Sequence, residues 1–354
     1  MIDPHVHLRD WKQSQKEQVS RAVQAAALVG ITGLFEMPNT DPPLVDPERI
    51  RERIEYVRKI QLGLGLQGVY GLYAGLTDDK EQNAQMVDIY RELFPAVIGF
   101  KLFAGHSTGH MGIIGQQEQF GIYQRLAQMG YRGIIAVHCE KESMMHPELF
   151  DPGIPATHSL ARPPEAETAS VSDQLRSAGD AGFTGVLHIC HVSCPESIEL
   201  IERFREDEHP AFMITTGVTP HHALLDDARG YLVGMFAKMN PPLRDRARVN
   251  RLFSMLKEGR IDWIESDHAP HTAQEKADGA SGIPGFAGYA HLVLSLMEEG
   301  LPREQLISLT GARFARVAGL ELDDQQLPSQ EMLESGLHSA AGLYEWDLWE
   351  LLQF

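Results

Sequence analysis

Residues 3–10 read Asp3-Pro4-His5-Val6-His7-Leu8-Arg9-Asp10, and the reading of the chain turns on this run. On an extended strand, side chains two apart share a face, so His5 and His7 can aim two imidazoles at one point, as metal ligands do. Arg9 continues the alternation and sets a planar cation beside them, suited to a two-pronged grip on a carboxylate. Histidines two apart also occur by chance on strand surfaces, so the pair needs a second half elsewhere in the chain.

That second half lies at the ends of later apolar runs. Continuous apolar segments bounded by turn residues cover 31–36, 67–73, 97–103, 133–138, 185–191, 211–216 and 262–267, which with the opening strand makes eight. Between most of them the periodicity is helical, over 18–29, 47–60, 82–93, 118–129, 165–178, 196–206 and 246–257. Strands apolar on both faces that alternate with helices predict an α/β fold with a parallel sheet, and eight units predict a closed (β/α)8 TIM-like barrel. An open doubly wound sheet is the alternative. The barrel is preferred because Glu36 with Asn39, Lys101, His138, His191 and Asp267 sit at the C-terminal ends of different strands, where such a barrel gathers its reactive groups.

Composition bounds the function. The chain has 354 residues and 43% hydrophobic content, enough for one large barrel. With 31 basic and 49 acidic residues it carries a net charge of −18, which disfavours nucleic acid and anionic membranes as partners. An anionic substrate then needs local positive charge, from Arg9 or from metal ions. Only two residues precede Asp3 and no apolar stretch is long enough for a bilayer span, so the expected location is cytoplasmic. Cys139, Cys190 and Cys194 are expected as buried reduced thiols. Leu62-Gly63-Leu64-Gly65-Leu66 lacks the third glycine of a phosphate loop and precedes a strand, so it reads as a turn.

Nine segments, in chain order, resemble the dihydroorotases of the amidohydrolase superfamily. They are the opening run, Met37-Pro38-Asn39-Thr40, 99–103 around Lys101, 136–140 around His138, 162–167 from Arg162 to Glu167, 188–193 around His191, Val218-Thr219-Pro220-His221-His222, 239–244 from Met239 to Arg244, and Ser266-Asp267-His268-Ala269-Pro270-His271. The resemblance implies two zinc ions at the strand ends. His5, His7 and Asp267 would hold the more buried ion, and His138 and His191 the more exposed one. A shared hydroxide and Lys101 would bridge them. A lysine ammonium offers donors only, so the bridge implies a carbamate formed from its neutral amine and carbon dioxide. The resemblance also implies that Asp267 acts as general base and acid, that Arg9, Asn39 and His271 contact the substrate carboxylate, and that Asn240 meets the ring amide. The implied reaction is the reversible conversion of dihydroorotate and N-carbamoyl-L-aspartate. The alternatives are another cyclic amidase, allantoinase-like or hydantoinase- and dihydropyrimidinase-like, and a catalytically silent scaffold for aspartate transcarbamoylase.

The remaining features are weighed against blander readings. His188, three residues from His191, is expected on the opposite strand face as a core histidine. His106 and His110 are expected in a polar loop at the pocket mouth, and His221 and His222 behind the ligands. Longer family members carry a β-sandwich beside the barrel. Here residues 1–320 are expected to form a barrel with little or no sandwich, and residues 321–354 an extension packed across the barrel bottom or on a partner. A homodimer and a complex with aspartate transcarbamoylase are the candidate assemblies.

Overall fold

Each apolar run becomes a strand, and each strand hydrogen-bonds in parallel to the next in chain order. The strands are β1 (Ile2–Val6), β2 (Gly33–Glu36), β3 (Val69–Gly75), β4 (Val97–Ala104), β5 (Ile134–Cys139), β6 (Val186–Ile189), β7 (Met213–Val218) and β8 (Trp263–Ile264). This computed structural model describes residues 1–106, 111–321 and 326–354. The ring is joined by a parallel bridge between Val6 and His268, where the His7 N–H donates to His268 O at 2.8 Å. The sequential order is that of the barrel and not of a doubly wound sheet.

Helices α1 (Val19–Leu28), α2 (Pro47–Gly63), α3 (Lys80–Leu93), α4 (Gln116–Gln128), α5 (Pro164–Asp180), α6 (Pro195–Glu208), α7 (Arg246–Lys257) and α8 (Phe286–Glu298) cover the sheet. Their starts are local chemistry. Asp46, Asp79 and Asp245 accept the backbone N–H three residues on, and Pro47, Pro164 and Pro195 occupy first-turn positions that have no N–H to lose. Inside the barrel, Ile2, Phe35, Ile98, Ile134 and Trp263 pack at the N-terminal end of the strands. Phe314 of α9 (Arg313–Ala318) closes that end, edge-on to Phe35 and Trp263 with ring centroids 4.9 and 5.4 Å away.

Three strand ends differ from expectation. Apolar runs extend to His191 and Asp267, yet β6 stops at Ile189 and β8 at Ile264, and both ligand candidates have left-handed backbone, φ 37° and 49°. Simple alternation would put His191 opposite His188; the left-handed residue swings it back, so both rings lie inside the barrel. Arg9 does not continue the β1 alternation either, because Arg9, Asp10 and Trp11 form a left-handed turn with φ of 50°, 62° and 50°.

The C-terminal region packs on the barrel, at its flank and not across its bottom. Helix α10 (Gln330–Ala341) packs on α1 and α8 at the barrel flank. The following residues reach the end of the barrel that carries Asp267 and His271, not the bottom. Tyr344 donates to Glu17 Oε1 at 2.7 Å, and Trp346 Nε1 to His271 O at 2.9 Å. Aromatic residues with a polar tip settle where that tip finds a partner. No helix among the described residues is long and apolar enough to cross a membrane.

Gly336 is the point of closest approach between α10 and α1, since a Cβ there would lie 1.9 Å from Leu28 O. Gly336→Ala should therefore lower stability by roughly 1–3 kcal/mol, read as a lower urea midpoint. An unchanged midpoint would mean that α10 is not docked this closely.

Candidate active site

The strands deliver His5 on β1, His7 just past it, Lys101 on β4, His138 on β5, and His191 and Asp267 in the turns after β6 and β8. All line one pocket, together with Arg9, Asn39 and Asn240. Asp267 Oδ1 lies 2.9 Å from His7 Nε2 and 3.3 Å from His5 Nε2. A second pair of nitrogens, His138 Nδ1 and His191 Nε2, meets at 3.1 Å. Lys101, fully buried, donates from Nζ to Cys190 Sγ at 3.1 Å.

The far nitrogens of three of these rings face oxygen. His7 Nδ1 meets Asn39 Oδ1 at 2.6 Å, His138 Nε2 lies 3.0 Å from Glu140 Oε2, and His5 Nδ1 lies 3.5 Å from Glu265 Oε1. An oxygen behind each ring directs its other nitrogen, as a lone pair, toward the pocket, which is how histidine ligands are oriented. His5, His7 and Asp267 place one ligand atom each within 4.8 Å of one another. The electrostatics agree. Burial and Lys101 oppose a proton on His5, yet Asp267 and Cys190 outweigh them and lift its pKa to about 10. Burial alone dominates at His7, whose pKa falls to about 4, and holds His138 and His191 below their ordinary value. Burial thus keeps His7, His138 and His191 neutral, and a divalent ion beside Asp267 would take the place of the proton on His5.

The comparisons bear on what this site belongs to. No family model matches the chain. The dihydroorotase of Methanosarcina mazei is 32% identical over 335 residues, covering 91% of this chain and 70% of that protein. That of Methanothermobacter thermautotrophicus is 33% identical over 329 residues, covering 90% and 69%. The chain belongs to the dihydroorotase family. Among solved structures, an L-hydantoinase (dihydropyrimidinase) from Arthrobacter aurescens superposes with a TM-score of 0.78 at 24% identity, covering 90% of this chain and 70% of that one. Saccharomyces cerevisiae dihydroorotase in complex with 5-fluoroorotic acid gives 0.71 at 15%, covering 90% and 84%. These two likenesses speak for the shared barrel.

Within this dihydroorotase-family site, Glu36 stands elsewhere than expected. Glu36 does not line the pocket; its carboxylate is taken up behind β2 by Arg53 Nε at 2.8 Å and Tyr70 OH at 2.6 Å. His271 is buried beside the pocket, with Nε2 3.2 Å from Arg9 Nη2 and Nδ1 3.1 Å from Glu275 Oε2. His188 is satisfied by Thr215 Oγ1 and Glu265 Oε2 at 3.1 and 3.0 Å. His222 is held by Thr219 Oγ1 and Pro241 O, whereas His221 Nε2 is buried without a partner among the described residues. His106 is exposed against Glu142, and His110 lies outside the described residues.

Sequence reasoning missed Glu140 and Glu265. Each stands two residues from a ligand candidate, His138 and Asp267, and parity along the strand was the available signal. Arg162 secures Glu140 from Nε at 3.1 Å, which gives the Arg162 to Glu167 segment a purpose behind the site. Glu167 receives the N–H groups of Ser193 and Cys194, both at 3.1 Å, and so fixes the turn after His191.

Glu265→Gln keeps the shape but removes the charge behind His5. We expect divalent-metal affinity, measured by chelator competition, to fall roughly 10–100-fold. Unaltered affinity would take Glu265 out of this supporting role.

Proposed function

We propose that the chain interconverts dihydroorotate and N-carbamoyl-L-aspartate, with Arg9 holding the free carboxylate of the substrate. The observation that carries this reading is the state of the Arg9 guanidinium. It is buried, it lines the pocket, and its Nε and Nη1 have no hydrogen-bond partner among the described residues. A buried cation with unused donors is costly until an anion completes it, and a carboxylate matches its planar fork. Neutral hydantoins and dihydropyrimidines bring no such group. The relatives named dihydroorotases support the same substrate.

His5, His7 and Asp267 would hold one zinc ion and His138 and His191 a second, with Lys101, as a carbamate, offering oxygen to both. Bound there, such ions polarise a carbonyl and lower the pKa of water. The remaining work falls to the chain. Arg9 and Asn39 seat the carboxylate. Burial and the Arg9 charge keep His271 well below its ordinary pKa; its Nε2 stands 3.2 Å from Arg9 Nη2 and 3.1 Å from Ser281 O, while Nδ1 faces Glu275. His271 thus serves the carboxylate through Arg9. Asn240 meets the ring. Burial opposes ionisation of Asp267, but His5 and His7 outweigh it and hold the group below the usual carboxylate range. As a carboxylate it takes the proton of the attacking water and returns it to the ring nitrogen as the C–N bond breaks.

The first test is zinc content and dihydroorotate hydrolysis on one purified sample. We expect about two zinc ions per chain, turnover of dihydroorotate and none of hydantoin. Two metals without dihydroorotate turnover would overturn the substrate. Arg9→Gln should raise KM roughly 10–100-fold with zinc retained, and an unchanged KM would remove the clamp.

Ring closure expels a carboxylate oxygen as water and so consumes one proton. Lower pH must favour dihydroorotate, by about tenfold in the equilibrium ratio per pH unit. Progress curves run to completion at acid and alkaline pH read this directly, and equal end ratios would contradict the reaction.

A further inference from the structure

His158, outside the set of pocket-lining residues, packs against the carboxamide of Asn240, which lines the pocket. Its ring is 4% exposed and is held edge-on by Phe150, with ring centroids 5.4 Å apart. Nε2 lies 3.0 Å from Met239 O and 2.9 Å from Asn240 Oδ1. A backbone carbonyl can only accept, so Nε2 must carry a proton whatever the charge of the ring. The carboxamide atom beside the same N–H must then be the oxygen.

A second donor enforces the same choice. Lys238 donates from Nζ to Ser281 Oγ at 2.7 Å, and an ammonium offers donors only. The Ser281 hydroxyl therefore keeps its own proton for another acceptor, and Asn240 Oδ1 is 3.3 Å away. With Oδ1 facing two donors, a flipped carboxamide would set N–H against N–H and O–H.

We propose that His158 is a positioning residue for substrate selection: with Ser281 it locks Asn240 so that its amino group faces the pocket as a donor. This wall then selects a substrate with a ring carbonyl oxygen at that point and rejects a ring presenting N–H there. Burial first, then the neighbouring Lys238 and Arg162 charges, lowers the His158 pKa to about 3, so the ring stays neutral across the working pH range. The consequence for catalysis rests on the dihydroorotate reading given above, whereas the tautomer and the locked carboxamide do not.

The test has two arms for that reason. In the first, 15N-labelled histidine in the intact protein, assigned with His158→Gln, should show a protonated Nε2 and a bare Nδ1 for His158 with no substrate added. A protonated Nδ1 with a bare Nε2 would overturn the proposal, whether or not the protein turns over dihydroorotate. In the second, His158→Phe keeps an aromatic ring but no N–H, and should raise KM for dihydroorotate roughly tenfold, with a much smaller change in kcat and with zinc retained. His158→Gln should recover part of the loss. In an Asn240→Ala background, His158→Phe should cost nothing further in KM, because both act through one carboxamide. Should His158→Phe fail to fold, Ser281→Ala, which removes the other donor, takes its place in the same cycle. Additive effects on KM, or an unchanged KM in a wild type that turns over dihydroorotate, would overturn the proposal; absence of turnover in the wild type would instead overturn the assigned reaction.

Discussion

The carboxylate of Glu265, sealed from solvent inside the barrel, is the contact on which the site depends. Oε2 receives His188 Nε2 at 3.0 Å and Trp263 Nε1 at 3.4 Å, while Oε1 receives the backbone N–H of His191 and faces His5 Nδ1. One side chain thus joins β1, β6 and β8. A buried carboxylate is tolerable only when donors answer it on several sides. Here burial is outweighed by His188 and His5, which hold Glu265 well below the usual carboxylate range, and Glu265 in turn lifts the His188 pKa to about 9 against burial. Gly217 leaves the room, since a Cβ there would lie 2.4 Å from the Glu265 carboxylate. The left-handed backbone of His191 is costly for a residue with a side chain, and such conformations persist where the surroundings over-determine them. The bond from its N–H to Glu265 is part of that determination.

A second buried ion pair does the same for the substrate side. Arg53, fully buried, donates to Glu36 from Nε and Nη2 at 2.8 and 2.6 Å, and from Nη2 also to Arg9 O at 2.9 Å. Asp10 accepts from Trp11 N and Val19 N, both at 2.8 Å. The left-handed turn that aims Arg9 is therefore pinned from the β2 side and from the start of α1. With His271 held by Glu275 on its far side, the guanidinium is fixed before any ligand arrives, and less ordering is left for binding to accomplish.

This hierarchy explains what could be read from the amino-acid sequence. The barrel was legible because eight apolar runs alternate with helices that begin on Asp or Pro. His5, His7, Lys101 and His138 were legible as residues on or beside strands whose parity points inward. The turns that carry His191, Asp267 and Arg9 were not, because no glycine or asparagine marks their left-handed backbone and only tertiary bonds sustain it. Glu36 and Glu265 look alike as acids near strand ends. Arg53, seventeen residues beyond Glu36, turns one away from the pocket, while Gly217 admits the other to the centre. The C-terminal residues were least legible, since Tyr344 finds Glu17 across 327 positions of chain.

Charge sharpens the point. A chain of net charge −18 that takes an anion gains nothing from its overall field, and at physiological salt that field is screened within about 8 Å. Recognition has to be settled inside the pocket, where Arg9 is buried and solvent does not dilute its charge. There the walls mostly donate. Arg9 has two nitrogens unpartnered among the described residues, and Asn39 and Asn240 each have their carboxamide oxygen beside a histidine nitrogen, of His7 and His158. The histidines near this pocket thus do two kinds of work. Those with an oxygen behind them would present lone pairs to a metal, and His158, beside the Asn240 carboxamide oxygen, turns an ambivalent asparagine into a donor. A pocket built this way sorts its ligands by their acceptors, and a ring that carries both a carboxylate and carbonyl oxygens answers every wall.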